Sequence, residues 1–183
     1  MTELITLSMS GLAVPRTGLR VTSLKQLKTS DGVAYTANVR EGRKALGVIE
    51  NHGSGGDTCF VPVSHDGRQA MEQFAAACRR NGEPLRRGDV YEHLVDEYEL
   101  TRMAKRCEKK RTSLVRGLGD EGNELHLIEV TMPSVWLARG DHPHQERLAR
   151  NLAQYQPAPR AWQFWDGERW APLVVPGPAE AAA

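Results

Sequence analysis

The chain has 183 residues, of which 26% are charged and 40% hydrophobic, with 24 basic residues against 23 acidic ones. This balance excludes a wholly disordered chain. No apolar run reaches the ~20 residues that a membrane-spanning helix needs, and the first residues lack the pattern of a secretion signal. The three cysteines are widely spaced, so neither a disulfide framework nor a zinc module is expected. A reducing cytoplasm is the predicted setting.

The first third of the chain predicts antiparallel β-structure. Apolar and polar residues alternate over 5–9 and over 33–40, as half-buried strands require. A further strand is expected over 20–28. The glycine-rich loop 51–57 follows a return strand and leads into another strand over 58–63. This order predicts a meander with one long-tipped hairpin.

A helix is predicted after these strands. Met71, Phe74, Ala75 and Cys78 fall at i, i+3, i+4 and i+7, so they form one apolar stripe on a helix. Asp66 stands before this stripe and is the expected N-cap.

The segment 90–111 also has a helical pattern, but its two halves place their apolar residues on nearly opposite sides. Either one long helix buries different faces at its two ends, or the helix breaks near 99–101. We favour one long helix that spans two packing environments.

Two hairpins and a short helix are predicted in the remainder. One hairpin joins 113–117 to 124–130, and a helix capped by Asp141 follows it. The dipeptide Asp166-Gly167 then predicts a tight turn between aromatic strands. The last residues, 176–183, are rich in proline and alanine and are expected to form a mobile tail.

These elements predict an α+β fold. We expect a single domain over 1–175, built on an antiparallel β-sheet that contains the meander and is extended by the later hairpins. Two to three helices are expected to pack on one face of that sheet.

The glycine-rich loop is the first candidate site. It consists of Asn51, His52, Gly53, Ser54, Gly55, Gly56 and Asp57. Successive glycines let backbone N–H groups converge on an anion. Walker loops and dinucleotide-binding loops lead from a strand into a helix, however, whereas this loop joins two strands. A wide hairpin tip whose glycines supply positive φ is the interpretation that we favour.

Segregated charge marks the second candidate site. The segment 102–116 contains one acid, Glu108, and seven bases: Arg102, Lys105, Arg106, Lys109, Lys110, Arg111 and Arg116. Bases on one helix face neutralise phosphates, which favours a nucleic-acid contact. A solvated helix end whose bases complement the helix dipole is the commoner arrangement. Aromatic residues are not interleaved with these charges, which counts against stacking of single-stranded bases there.

An aromatic hairpin is the third candidate site. Its aromatic residues are Trp162, Phe164, Trp165 and Trp170. On a strand, Trp162 and Phe164 share one face and Trp165 takes the other. Either the hairpin closes the core, or an exposed face of it is an interaction patch.

No pattern in the chain predicts a catalytic centre, a metal site or a cofactor. His142 and His144 are the one close pair of histidines, and the others lie on separate predicted elements. Their spacing matches no zinc signature.

Two blocks of sequence follow a pattern of short motifs. They are Val33-Ala34-Tyr35-Thr36-Ala37, Gly42-Arg43-Lys44, Gly47 and the glycine cluster 51–56 in the first block, and 109–115 with Gly119-Asp120-Glu121 in the second. In these blocks the chain resembles uncharacterised small accessory proteins of bacteriophages and bacterial mobile elements. The resemblance covers about half the chain and carries over no catalytic residue.

The resemblance implies an accessory protein of the bacterial cytoplasm that binds a host or defence-system protein or ribonucleoprotein, with an anti-CRISPR-like inhibitor as one form. Our leading hypothesis is therefore a non-enzymatic binding protein whose basic helix end is the contact surface. Nucleic acid is a further candidate partner, and no membrane partner is expected. The oligomeric state is not predicted.

Two alternatives remain open at this point. One is a small cytosolic enzyme that binds an anionic ligand at the glycine-rich loop, with His52 and Asp57 as acid and base. The other is a structural subunit that self-associates through the aromatic hairpin.

Overall fold

The computed structural model describes residues 3–120, 122–139 and 142–173, without the side chains of residues 142, 143 and 145. Within them lie twelve strands in three antiparallel sheets and four helices, so the α+β class is confirmed. The chain divides into two compact units, 1–101 and 102–183. The single domain over 1–175 stays a prediction, and the tail 176–183 lies outside the described residues.

The first unit contains most of the strands. In chain order its elements are β1 (Ile5–Thr6), β2 (Ala13–Val14), β3 (Leu19–Lys28), β4 (Val33–Glu41), β5 (Lys44–Asn51), β6 (Cys59–Pro62), α1 (His65–Ala77), β7 (Arg79–Arg80) and β8 (Glu83–Pro84). The helix α2 (Arg87–Lys110) begins in this unit and ends in the second.

Strands β3 to β6 pair in chain order, which confirms the predicted meander. Ala37 and Val39 on β4 are fully buried, whereas Asn38 between them is exposed, as the alternation predicted. The buried face packs in one core with Phe74 of α1 and Leu94 of α2. Strands β1, β2, β7 and β8 form a separate small sheet.

The predicted start of helix α1 is wrong, although its predicted apolar stripe is confirmed. The predicted stripe is buried in full: Met71, Phe74, Ala75 and Cys78. The N-cap, however, is Ser64, whose backbone is extended and whose Oγ accepts a hydrogen bond from the backbone N of Gly67 (3.1 Å). Asp66 already lies in the first helical turn, where its carboxylate instead faces Lys44 at 3.6 Å.

Helix α2 is continuous over 24 residues, so the long helix is confirmed and the break near 99–101 does not occur. The apolar residues of its two halves are both buried: Val90, Tyr91, Leu94 and Val95 in the first, then Leu100, Ala104 and Cys107 in the second. Successive turns of one regular helix therefore bury different sides, as the pattern predicted.

The second unit contains the later hairpins. After α2 its elements are β9 (Ser113–Leu118), β10 (Glu124–Val130), α3 (Ser134–Ala138), α4 (His142–Leu152), β11 (Ala161–Trp165) and β12 (Trp170–Pro172). The strands form one sheet in the order β10-β9-β11-β12. Residue 141, the predicted cap of α4, lies outside the described residues.

The sequence predicted that the later hairpins extend the sheet of the meander. This prediction is wrong, because the hairpins form a separate sheet. Strand β9 pairs with β10 along one edge and with β11 along the other, so the two hairpins satisfy each other's backbone hydrogen bonds. One face of this sheet, with Val115 and Phe164, packs against Leu137 of α3 and Leu148 of α4.

None of the described helices combines the length and the apolar character needed to cross a lipid bilayer.

Candidate functional site

Asn51 holds the glycine-rich loop in shape. Its Oδ1 accepts a hydrogen bond from the backbone N of Gly53 (2.8 Å). Its Nδ2 donates to the carbonyl oxygen of Gly56 (3.2 Å) and to Oγ1 of Thr58 (2.9 Å). The Gly53 amide is thus engaged inside the loop and does not point to an external anion.

Two glycines of the loop have positive φ, 70° at Gly53 and 78° at Gly55. Gly53 also packs closely, because a Cβ there would lie 2.6 Å from the backbone N of Ala34, whereas a Cβ on Gly55 would meet open space. The polar side chains of His52, Ser54 and Asp57 are exposed. These are the features expected of a hairpin tip that packs against the neighbouring strand.

We expect Gly53→Ala to destabilise the protein more than Gly55→Ala. Both substitutions force alanine into the left-handed region, at a cost of about 1 kcal/mol. At position 53 the methyl group also collides with the backbone of β4, which raises the expected loss to about 3 kcal/mol. Chemical denaturation of both variants measures the difference. Equal losses would show that Gly53 is not packed against Ala34.

Thr58 ties the end of the loop to α2. It is only 4% exposed, and its Oγ1 donates to Oε1 of Glu92 (2.7 Å) while it lies 3.0 Å from the hydroxyl of Tyr35. The threonine hydroxyl has a single hydrogen, so Tyr35 is the donor in the second contact. Burial raises the pKa of Tyr35, which keeps the phenol protonated for this role.

Two more acids in the first half of α2 accept hydrogen bonds within the first unit. Oε2 of Glu97 accepts from the backbone N of Met9 (3.1 Å), from the backbone N of Ser10 (2.8 Å) and from the Ser10 hydroxyl (3.0 Å). Oε2 of Glu99 accepts from Nε2 of Gln26 (3.0 Å). These carboxylates therefore anchor a turn and a strand to the helix.

Three acids in the first half of α2 are hydrogen-bonded to other elements, whereas the bases in its second half face solvent. All five are exposed: Arg102, Lys105, Arg106, Lys109 and Lys110. At about 100° per residue they fill an arc of roughly 140°, on the side opposite the buried Ala104 and Cys107. We call these five residues the basic stripe. Among the described residues, no ion pair involves Lys105 or Lys109.

Arg111 follows the basic stripe at the helix end. Its φ is 57°, and its backbone N donates to the carbonyl of Glu108 (3.1 Å) while Thr112 N donates to that of Cys107 (2.9 Å). This is the Schellman motif, in which glycine is the favoured residue. The exposed arginine side chain therefore extends beyond the last turn of the helix.

Glu129 of β10 is an acid that contacts the basic stripe. Its carboxylate lies 3.8 Å from Nη2 of Arg106 and 3.4 Å from Nζ of Lys110, and it accepts a hydrogen bond from Thr112 Oγ1 (2.8 Å). The Thr112 hydroxyl and then the two cations lower the pKa of Glu129. The carboxylate thus stays ionised at neutral pH, and these contacts are lost only as the pH falls through that lowered pKa.

Arg116 lies on β9 and belongs to the aromatic hairpin. Its Nε and Nη2 donate to Oε1 of Gln163 (2.9 and 2.7 Å), and its guanidinium carbon lies 4.1 Å from the centroid of the Trp170 ring. The sequence grouped Arg116 with the helical bases because it is near them in the chain. Pairing of β9 with β11 places it beside the tryptophan instead.

The aromatic hairpin has two different faces. Trp162 and Phe164 are 7% and 3% exposed and belong to the core of the second unit. Trp165 and Trp170 are half-buried, face each other across the two strands, and have ring centroids 5.6 Å apart in an edge-to-face arrangement. The hairpin thus contributes Trp162 and Phe164 to the core, as one of the two predicted arrangements requires, and holds Trp165 and Trp170 as a half-buried pair on its other face.

Strand register places Glu129 and the aromatic pair on one face of the second sheet. Glu129 pairs with Leu114, and Gln163 pairs with Arg116. Alternate residues of a strand share a face, so Trp165 lies on the same face as these four residues. Three strand intervals of ~4.8 Å separate β10 from β12, which is about 14 Å. Leu114 lies between Glu129 and Trp165 on this face and is only 1% exposed, so the face is covered at that point.

Sequence patterns did not identify several residues that contribute to these sites or lie exposed near them. Thr58 and Glu129 act through cross-strand and strand–helix contacts, which no local spacing encodes. Trp136 is 43% exposed and stacks on the ring of His144, with centroids 4.8 Å apart. Within the described residues, no three His, Cys, Asp or Glu side chains lie close enough to hold a metal ion together.

No protein family, curated protein or solved structure matches the chain. The resemblance to accessory proteins of phages and mobile elements therefore stays a prediction.

Proposed function

We propose that the protein is a non-enzymatic binding protein that contacts the phosphate backbone of a nucleic acid, free or within a ribonucleoprotein, through the basic stripe of α2. One observation carries the proposal. In the first half of this helix Glu92, Glu97 and Glu99 accept hydrogen bonds inside the first unit, whereas the five bases of its second half are exposed on a single arc. The formal net charge of +1 therefore understates the positive charge that α2 presents to solvent.

The helix dipole does not account for the whole stripe. Cations stabilise the last turn of a helix, and the effect falls off within that turn. Lys109 and Lys110 lie in it, but Arg102 and Lys105 lie one to two turns earlier. Five cations over about 12 Å of helix are instead arranged as a phosphate-binding surface requires.

The predicted context narrows the partner. The resemblance to accessory proteins of phages and mobile elements favours a protein or ribonucleoprotein of a bacterial host or of its defence systems, and a role as an inhibitor is one form of such binding. The exposed cations of the basic stripe favour the nucleic-acid component of such a ribonucleoprotein. An acidic protein surface is the competing partner. Binding to a purified oligonucleotide distinguishes the two, because an acidic protein partner predicts no such binding.

Glu129→Gln is expected to raise the affinity for nucleic acid. The substitution removes a charge that competes with phosphate for Arg106 and Lys110. Each exposed ion pair is weak, so we expect a gain of about 3- to 10-fold. Fluorescence anisotropy with a labelled oligonucleotide at low salt measures it.

Glu83→Gln is the matched control, because it makes the same charge change at an exposed residue of β8 in the first unit. An equal gain in both variants would reflect net charge alone. Such a result would remove the specific role of the basic stripe.

A further inference from the structure

We infer that the end of the first sheet at the β4–β5 hairpin is a second phosphate-binding site, formed by Arg20, Arg40 and Arg43. We call these three residues the arginine cluster. The ligand is that of the proposed function, on which the inference rests, but the residues that bind it are different. The protein therefore has two contacts for nucleic acid, one on the helix α2 and one on the first sheet.

Strand register places two of these arginines side by side. Arg20 of β3 pairs with Arg40 of β4, so the two side chains leave the same face of the sheet, with Cβ atoms about 5 Å apart. Like charges directly opposite each other on a sheet are destabilising. An anion bound between the two guanidinium groups would remove that repulsion.

This face of the first sheet is open. Along β4, Thr36, Asn38 and Arg40 are all exposed and alternate with the buried Ala37 and Val39. Helices α1 and α2 pack on the other face, in the core that contains Ala37 and Val39. A ligand therefore reaches the arginine pair without displacing either helix.

The turn between β4 and β5 adds the third arginine. Glu41 pairs with Lys44, so Gly42 and the exposed Arg43 form a two-residue turn. Gly42 has a φ of 56°, as glycine at the first position of a type II′ turn requires. Its backbone N donates to the carbonyl oxygen of Gly18 (3.1 Å). The turn that carries Arg43 is therefore held to the start of β3 before a ligand binds.

Two acids next to this turn are engaged by other cations. Glu41 accepts a hydrogen bond from Nε of Arg16, and the carboxylate of Asp66 lies 3.6 Å from Nζ of Lys44. Within the part of the chain that the structure describes, no acid forms an ion pair with a member of the arginine cluster. The cluster thus presents positive charge that neighbouring acids do not neutralise.

The chemistry of the guanidinium group favours phosphate as the ligand. The group is planar and donates paired hydrogen bonds that match two oxygens of one phosphate. A nucleic-acid backbone supplies such phosphates in series, so one of them can lie between Arg20 and Arg40. The arginine cluster has three cations against the five of the basic stripe, so we expect it to be the weaker contact.

Calorimetric titration with a short single-stranded oligonucleotide at low salt counts the sites. We expect the wild type to bind two oligonucleotides per chain, one tightly and one more weakly. Arg40→Gln is expected to weaken the second step by about 3- to 10-fold and to leave the first step unchanged. Joint replacement of Lys105 and Lys109 by alanine should weaken the first step and leave the second.

Two controls make this test decisive. Arg150→Gln makes the same charge change at an exposed arginine of α4 and is expected to bind like the wild type. Arg40→Gln is expected to raise the midpoint of urea denaturation, because it removes the repulsion from Arg20. Lost binding is then not a result of unfolding, whereas a lowered midpoint would show a structural role for Arg40 and overturn the inference.

The remaining outcomes separate the inference from the proposed function. One oligonucleotide per wild-type chain would overturn the inference and leave phosphate binding by the basic stripe intact. Equal losses in Arg40→Gln and Arg150→Gln would reflect net charge and would also overturn it. The same holds if polyglutamate, and not the oligonucleotide, bound at Arg40, since the ligand would then be an acidic protein. Absence of binding to every oligonucleotide at low salt would overturn both proposals.

Discussion

Replacement of Lys105 and Lys109 together by alanine is expected to weaken nucleic-acid binding by about 10- to 100-fold at low salt. Each cation that neutralises a phosphate contributes about 0.7 to 0.9 to the slope of log affinity against log salt concentration. The double variant should therefore lower the magnitude of that slope by about 1.4 to 1.8. Anisotropy titrations over about 50 to 200 mM salt measure both quantities.

A lysine pair of the first unit is the control. Lys25 and Lys28 are exposed on β3, so their replacement by alanine makes the same change in net charge outside the basic stripe. Its effect on the slope is expected to be small. If the two double variants lost affinity equally, the binding would follow overall charge and not the basic stripe.

Among single substitutions that remove a hydrogen-bonding side chain, Thr58→Val is expected to lower the free energy of unfolding most. Valine keeps the volume of threonine but removes the hydroxyl that serves Tyr35, Asn51 and Glu92. Glu92 is exposed and can turn to water, so the loss comes mainly from the two neutral groups. Tyr35 and Asn51 are half-buried, and Asn51 keeps its bond to the Gly56 carbonyl. An unsatisfied buried donor costs about 1 to 3 kcal/mol, so we expect a decrease in the free energy of unfolding of about 1 to 3 kcal/mol.

Thr36→Val is the comparison for this loss. Thr36 is an exposed threonine of β4, and its replacement by a β-branched apolar residue is expected to change stability by less than about 0.5 kcal/mol. Urea denaturation of both variants gives the difference. Similar values would mean that the network around Thr58 does not hold the glycine-rich loop to the helix.

Elements whose signals are local were predictable from the sequence. The alternation in β4 and the stripe of α1 depend on residues within one strand or a few helical turns, so periodicity alone places them. The start of α1 was missed because Ser64 and Asp66 are both good N-cap residues. Only the extended backbone at Ser64 decides between them.

Long-range pairing explains the other differences. Val115 pairs with Phe164, although the two are far apart in the chain, and no local pattern encodes that choice. The later hairpins therefore form a sheet of their own, and Arg116 joins the aromatic hairpin. The same register places Glu129 and Trp165 on one face, which linear spacing had kept apart.

Helical periodicity predicts the position of the basic stripe on α2 but not the partners of the acids on the same helix. Its arc follows from 3.6 residues per turn, so the sequence was sufficient to predict a charged face. The sequence did not reveal that Glu97 and Glu99 are hydrogen-bonded within the first unit. That fact distinguishes a surface with exposed positive charge from a helix whose charges balance.

The most direct test of the account is a titration of the isotope-labelled protein with a short single-stranded oligonucleotide, followed by the NMR shifts of its backbone amides and indole N–H groups. We predict the largest shifts in 102–111, with little change at the indole of Trp136. Shifts centred on the glycine-rich loop 51–57, or no shifts at low salt, would contradict the proposal that the basic stripe binds phosphate.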